Sequence, residues 1–261
     1  AHADYMAFSS PAPMPGDVNY SEIVGWLSEN LPENSVITNG AGNYTVWVHR
    51  FFRYKQYGTQ LAPQSGAMGY GVPSGVSAAV RHRDRVVVSF SGDGCFQMNG
   101  QEIGTAVQQG AKVIFVVVNN GMYGTIRMHQ ETHYPKRKSG TDLVNPDFAA
   151  LARAYGAHGE TVTKTADFEA AFERCRAVDG PSLIELVIDP DAVLPTSTLS
   201  GIQAAALKAC AGALAARLAA QAFELDALRT WALAAEKLAG DKDAVHERTM
   251  DQVKALRRQV V

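Results

Sequence analysis

Cysteine is scarce, with three in 261 residues, at positions 95, 175 and 210. So few, odd in number and widely spaced, they argue against a disulfide framework or a cysteine-built zinc site, and a reducing cytoplasm is the expected compartment. Charge of either sign is not in excess: 24 Lys and Arg oppose 26 Asp and Glu, for a net charge of −2. That balance argues against nucleic acid or a membrane surface as the main partner. No continuous apolar run reaches the length expected of a membrane span, and no signal-peptide pattern opens the chain. Also missing is a G-x-G-x-x-G turn with an acidic residue about twenty positions later, which sets a nicotinamide-binding protein low. The chain opens on alanine, as expected of a domain cut from a longer protein or of a processed chain.

What is present is an ordinary globular composition, 46% hydrophobic and 19% charged, long enough for one large domain with a buried core. Residues 1–16 are rich in Ala, Ser and Pro and read as a linker. From there to residue 198 strand and helix signals alternate, which implies a doubly wound parallel sheet of about six strands with helices on both faces. A helix is expected over 20–30 with Asn19 as its cap, a short strand over 35–38, and a helix through Val46, Trp47 and Phe51. Buried strands are expected at Val86–Phe90 and Val113–Val118, with a helix over 97–109 presenting Met98, Ile103, Ala106 and Val107. A helix follows from Asn145 to Tyr155, capped by Gly156. Then come a strand at 161–163, a helix at 167–178 and a strand at 181–188. From residue 199 the composition turns to Ala, Leu and charge. Helices are expected over 200–239 and 243–259, with Leu214, Leu218, Phe223, Leu225, Leu228, Trp231 and Leu238 available for a partner face.

Two strand ends carry chemistry. Gly92-Asp93-Gly94 follows one and Asn119-Asn120-Gly121 the other, so a carboxylate and an amide oxygen sit side by side where open α/β sheets bind ligands. Hard divalent cations want oxygen ligands, and Mg²⁺ takes a few from protein and the rest from phosphate and water. The glycines permit close backbone approach to phosphate, and the helix after Gly94 directs its positive end there. Two plain turns in an ordinary α/β domain are the alternative.

GDG followed by an Asn pair, the second Asn 27 positions after the Asp, resembles the thiamine-diphosphate signature. Over roughly residues 1–209 the match is closest to the C-terminal cofactor-binding domain of acetolactate-synthase-like enzymes. That resemblance implies Mg²⁺ held by Asp93, Asn120 and the Met122 carbonyl, anchoring the cofactor's diphosphate. It implies that Gly92, Gly94, Cys95, Tyr123, Gly124 and Thr125 surround the diphosphate, with Gly42, Asn43 and Tyr44 from the preceding strand end. Met68, 25 positions before Asp93, takes the place of the bulky residue wedged between the two cofactor rings. There the Gly66 carbonyl accepts from the 4′-amino group and the Met68 N–H reaches N3′. A core Met filling an irregular gap is the bland reading of the same residue.

The implied activity is that of a 2-oxoacid carboligase. Pyruvate loses CO₂ and its two-carbon unit passes to a second 2-oxoacid, as in branched-chain amino acid biosynthesis. Gly94-Cys95 and Tyr123-Gly124-Thr125 depart from many acetolactate synthases and are similar to benzoylformate-type decarboxylases, so simple decarboxylation stays open. The family's pyrimidine-side domain, whose Glu activates the cofactor, has no counterpart here, and Glu102 is wrongly placed to replace it. A partner domain or subunit and a homo-oligomer are therefore expected. Flavin is not expected. A non-catalytic cofactor-binding or interaction module is the remaining class. Asn119 is expected to tie its strand end to a neighbouring loop, and Arg127, His129, Gln130 and His133 to lie in a polar loop over the site, His133 not being catalytic.

Overall fold

The computed structural model describes residues 10–239, 247 and 249–255. The first elements are α1 (Tyr20–Asn30), β1 (Val36–Asn39), α2 (Tyr44–Phe51), β2 (Gln60–Leu61) and α3 (Gly71–Arg81). Next come β3 (Val87–Gly92), α4 (Asp93–Asn99), α5 (Glu102–Gln109), β4 (Val113–Asn119) and α6 (Gly124–His133). The series ends with α7 (Phe148–Ala154), β5 (His158–Val162), α8 (Phe168–Ala177), β6 (Ser182–Val187) and α9 (Leu199–Ala239).

All six strands form one parallel sheet in the order β2-β1-β3-β4-β6-β5. Alternation along each strand divides the core in two. Val88, Phe90, Ile114, Val116 and Val118 pack with Tyr20, Trp47, Phe168 and Phe172 of α1, α2 and α8. Val87, Val113, Phe115 and Val117 pack with Val72, Phe96, Ile103 and Phe148 on the opposite face. A strand buried on both faces has no polar side to offer, which is why β4 reads as a continuous apolar run. Each large side chain so buried contributes roughly 1.5–3 kcal/mol.

The order places β1 against β3, with the chain winding outward in both directions from that pair. Such a reversal opens a crevice at the carboxyl ends of the strands. Register aligns those ends: Asn39 pairs with Phe90, Gly92 with Val118, and Asn119 with Val187.

Several expectations are corrected. The helix after β3 begins at Asp93 rather than 97 and is interrupted at Gly100, so Met98 is 47% exposed and lies outside the core. The strand placed at 161–163 runs over His158–Val162, and the two-residue β2 gave no strand signal. Arg127 to His133 are helical, forming α6 rather than a loop. Residues 10–16 have neither helix nor strand and lie along the surface: the Ala12 carbonyl accepts from Asn19 Nδ2 at 2.9 Å, and Met14 Sδ accepts from Trp47 Nε1 at 3.1 Å. Asn19 does cap α1, its Oδ1 accepting from Ser21 N and Glu22 N.

The chain divides into two compact units, residues 1–204 and 205–261. In α9, Leu214, Leu218, Phe223 and Trp231 are exposed, while Leu225 and Leu228 are half-buried. Over Leu199–Ala235 this helix is long and apolar enough, by length and composition, to cross a membrane, contrary to the reading of the linear sequence. Alanine accounts for the discrepancy, since it raises hydropathy without forming a run of large apolar side chains. Of the helix expected over 243–259, residues 247 and 249–255 are helical; residues 240–246, 248 and 256–261, and the side chain of Leu238, lie outside what is described.

Candidate cofactor and metal site

Asp93 is the first residue of α4, directly after β3, and is 3% exposed. A carboxylate there faces the positive end of a helix. Its Oδ1 accepts from Gly94 N at 2.8 Å; its Oδ2 accepts from Gly121 N at 2.9 Å and Asn145 Nδ2 at 2.8 Å. Burial pushes the carboxyl above its ordinary value, and hydrogen bonds from Asn145, Gly94, Gly121 and Met122 only partly offset this. A buried carboxylate in that condition is stabilised by a cation.

The opposing strand end is held in place around it. Asn119 Nδ2 donates to Glu185 Oε1 at 2.7 Å, and its Oδ1 accepts from Gly121 N and Asn145 Nδ2. Asn119 is thus the tie expected of it. Asn120 Oδ1 accepts from Met122 N at 3.2 Å. Met122 also bridges Asp142 in antiparallel fashion, through Tyr123 N to the Thr141 carbonyl at 2.9 Å and Leu143 N to the Gly121 carbonyl at 2.8 Å. The bonds come from the flanking residues, so this is a non-hydrogen-bonded pair. The Met122 carbonyl therefore points away from the 141–143 segment and is left for another partner.

A cavity of about 240 Å³ opens here. Gly42, Asn43, Tyr44, Gly66, Met68, Gly92, Asp93, Gly94, Cys95, Asn120, Met122, Tyr123, Gly124 and Thr125 all line it. The sequence reading missed its apolar wall: Ala41, Trp47, Val118, Ile126, Ile188, Ala192 and Val193. Ala41 sits in the turn after β1 beside Gly42; the others come from helix and strand interiors and from the chain after β6, and no local motif marks them. Met68 is 40% exposed, on the open side.

Two contacts join the walls. Asn43 N donates to Thr125 Oγ1 at 3.0 Å and Thr125 Oγ1 donates to Asn43 Oδ1 at 2.8 Å, coupling the β1 end to the β4 end. Cys95 Sγ accepts from Gly69 N at 3.2 Å and lies 3.3 Å from Tyr44 Oη. Burial, then the neighbouring Cys95, pushes the Tyr44 hydroxyl well above its ordinary value, so it stays neutral. Glycine is required at 94, where a Cβ would meet the Tyr123 ring at 2.5 Å.

Glu102, Arg127, His129 and His133 do not line the cavity. His133 Nδ1 lies 2.9 Å from the His129 carbonyl, and Glu102 accepts from Thr105 Oγ1 on an exposed surface. Away from the site, His158, Glu160 and Cys175 lie close enough to hold a metal. Arg174 already occupies both Glu160 oxygens and burial pushes the Cys175 thiol up to about 12, so the cluster is an ion-pair network.

Residues 40–186 match the family described as thiamine pyrophosphate enzyme, C-terminal TPP binding domain. The chain belongs to this family. Acetolactate synthase isozyme 2 large subunit of Escherichia coli (strain K12) is 34% identical over 178 residues, covering 67% of this chain and 32% of that protein. Among solved structures, a thiamine diphosphate-dependent 4-hydroxybenzoylformate decarboxylase of Rhodococcus jostii RHA1 superposes with a TM-score of 0.66 at 26% identity. The match covers 71% of this chain and 35% of that one. Benzoylformate decarboxylase from Polynucleobacter necessarius gives 0.64 at 30% identity, with the same coverage. The chain spans about a third of the length of the relatives it matches. It is a cofactor-binding domain of the thiamine-diphosphate-dependent enzymes, and the residues fit the cofactor: a buried carboxylate, a carbonyl turned away from the 141–143 segment and glycine-lined walls meet at one cavity.

Proposed function

We propose that the chain supplies the diphosphate and metal half of a thiamine-diphosphate- and Mg²⁺-dependent 2-oxoacid carboligase of the acetolactate-synthase type. Pyruvate is the substrate and a second 2-oxoacid the acceptor. The observation that carries this reading is the meeting of Asp93, Asn120 and the outward Met122 carbonyl in one cavity, with Met68 on its open side. In the proposal the three oxygens hold Mg²⁺. The small-residue turns at 42–44, 92–95 and 123–125 surround the diphosphate; the Asn43 and Tyr123 N–H groups and the Thr125 hydroxyl, which bond within the protein in this structure, exchange those partners if they donate to it. Gly66 and Met68 orient the rings. When bound, the thiazolium supplies the carbanion chemistry, and the protein positions and shields it.

Among the described residues Asp93 is the one carboxylate in the cavity wall. A cation-binding Asp cannot also be the Glu that activates the pyrimidine ring, so that Glu is assigned to a pyrimidine-side partner domain or subunit; a homo-oligomer is proposed besides. A reducing cytoplasm keeps Cys95, a free buried thiol in the wall, unmodified. The test is to titrate the full chain with thiamine diphosphate and Mg²⁺ and to follow pyruvate. Metal-dependent cofactor uptake with negligible turnover is expected; substantial turnover by the pure chain removes the half-site reading.

The likeness to two benzoylformate-type decarboxylases favours a second reading, non-transferring decarboxylation. Once the missing half is supplied, product analysis separates the two: acetolactate from pyruvate for the carboligase, benzaldehyde from benzoylformate for the decarboxylase.

A further inference from the structure

Asn145 lies on the exposed segment before α7, where Val144 is 100% exposed and Pro146 and Asp147 also face solvent. Apolar burial therefore does not fix its neighbours. Its own side chain is nonetheless fully engaged. Nδ2 donates to Asp93 Oδ2 and to Asn119 Oδ1, both at 2.8 Å, and Oδ1 accepts from Gln97 Nε2 at 2.9 Å. One amide thus spans the tips of β3 and β4 and is itself aimed by α4. The same segment, two to four residues earlier, makes the antiparallel pair that turns the Met122 carbonyl outward.

We infer that Asn145 is a positioning residue for the metal: its amide fixes the Asp93 carboxylate relative to the Asn119-Asn120 strand end and so sets the spacing of the cation's ligands. The inference rests on the metal reading of Asp93 and Asn120. Partners that orient a ligating carboxylate are worth 10- to 100-fold in metal affinity. Without Asn145, the Asp93 carboxylate keeps backbone partners alone, at Gly94, Gly121 and Met122, and gains freedom to pivot. Mg²⁺ demands near-ideal octahedral geometry, whereas Ca²⁺ accepts looser and longer coordination. Loss of Asn145 should therefore weaken Mg²⁺ more than Ca²⁺.

The test is calorimetric titration of the full chain with MgCl₂ or CaCl₂ at a fixed excess of thiamine diphosphate, beside thermal melts without metal. Asn145→Ala is expected to weaken Mg²⁺ by about 10-fold or more and to shift preference toward Ca²⁺, leaving the metal-free melting temperature nearly unchanged. Gln97→Ala, an exposed change that leaves Asn145 in place but unaimed, is expected to produce a smaller loss in the same direction. Wild-type Mg²⁺ affinity in both variants overturns the inference, as does a loss equal for the two cations. Asp93→Ala separates the two readings. If it retains Mg²⁺-dependent uptake, the metal assignment itself fails. If it loses uptake while Asn145→Ala does not, only the positioning role fails.

Discussion

Replacing Glu131 by glutamine keeps the side chain's shape but removes its charge from a fully buried position on α6. Glu131 Oε1 accepts from Arg127 Nε at 2.9 Å and Nη2 at 2.7 Å. Its Oε2 accepts from Lys136 N at 2.9 Å and Gln203 Nε2 at 2.7 Å. A glutamine offers one oxygen. If that oxygen faces Arg127, the new NH₂ meets two donors; Gln203 can turn its amide over, but the Lys136 N–H cannot turn. Breaking a buried ion pair from one side costs about 3–5 kcal/mol. Arg127 retains 16% exposure and keeps Asp142 Oδ1 4.0 Å from its Nη1 as a second counter-charge, which together place the cost no higher than the lower end, about 3 kcal/mol. For a domain of this size that corresponds to a fall of about 6–12 °C in melting temperature.

The pH dependence gives an independent check. Burial raises the Glu131 carboxyl, but hydrogen bonds from Lys136 N, Gln203 and Arg127 and the Arg127 charge outweigh it, leaving the value below the ordinary one. A depressed carboxyl stabilises the fold above its unfolded value and loses that contribution as pH falls through the folded one. The gap between wild type and Glu131→Gln should therefore narrow in acid below the usual carboxylate range. Denaturant melts followed by circular dichroism at pH 7 and in steps toward pH 3 measure both. A difference below about 1 kcal/mol at pH 7, the scale of an exposed pair, or one that does not narrow in acid, would refute the reasoning.

Asp93→Ala should abolish metal-dependent uptake of thiamine diphosphate in calorimetry, because it deletes the one carboxylate in the cavity wall; unchanged affinity would count against the metal assignment. Gly94→Ala should weaken cofactor uptake by about 10-fold, since its Cβ would meet the ring of Tyr123, a cavity-lining residue, at 2.5 Å and force that ring to shift; titration at saturating Mg²⁺ checks this. Burial pulls the His49 imidazole below its ordinary value, and its Nε2 lies 3.1 Å from Asn39 Oδ1. A histidine kept neutral by the fold costs stability as pH falls below about 6.5, where the unfolded chain takes up the proton first. Melts between pH 7 and 5 should show that decline, and His49→Gln should flatten it.

The strand ends proposed to hold the metal were legible because their chemistry is local: GDG and the Asn pair are short and lie at the ends of apolar runs. Met68 was reached by resemblance alone. Asn145 was read as a helix start, and it stands two residues before that role, since Asp147 caps α7. Its other role depends on a register between 141–143 and 121–123 that no pattern within either segment specifies. The apolar wall was illegible for the same reason, as Ile188 and Val193 are ordinary core residues until the fold brings them beside Val118. β2 was missed because two residues carry no periodicity. Arg127 to His133 were read as a loop because α6 buries little besides Glu131 and so shows no apolar stripe.

Gly71 opens α3 where β1 and β3 part. A methyl group there would lie 2.8 Å from Gly40 N, 2.9 Å from the Phe90 carbonyl oxygen and 3.0 Å from the Asn39 carbonyl carbon. All three are main-chain atoms, which cannot rotate aside as a side chain would. The width of the cleft between the first two strand tips is thus set by a hydrogen atom, and any larger substituent at 71 pries apart the floor on which both turns rest. Widening the pocket for a bulkier guest must therefore begin at its rim, because the hinge between those strands offers no slack.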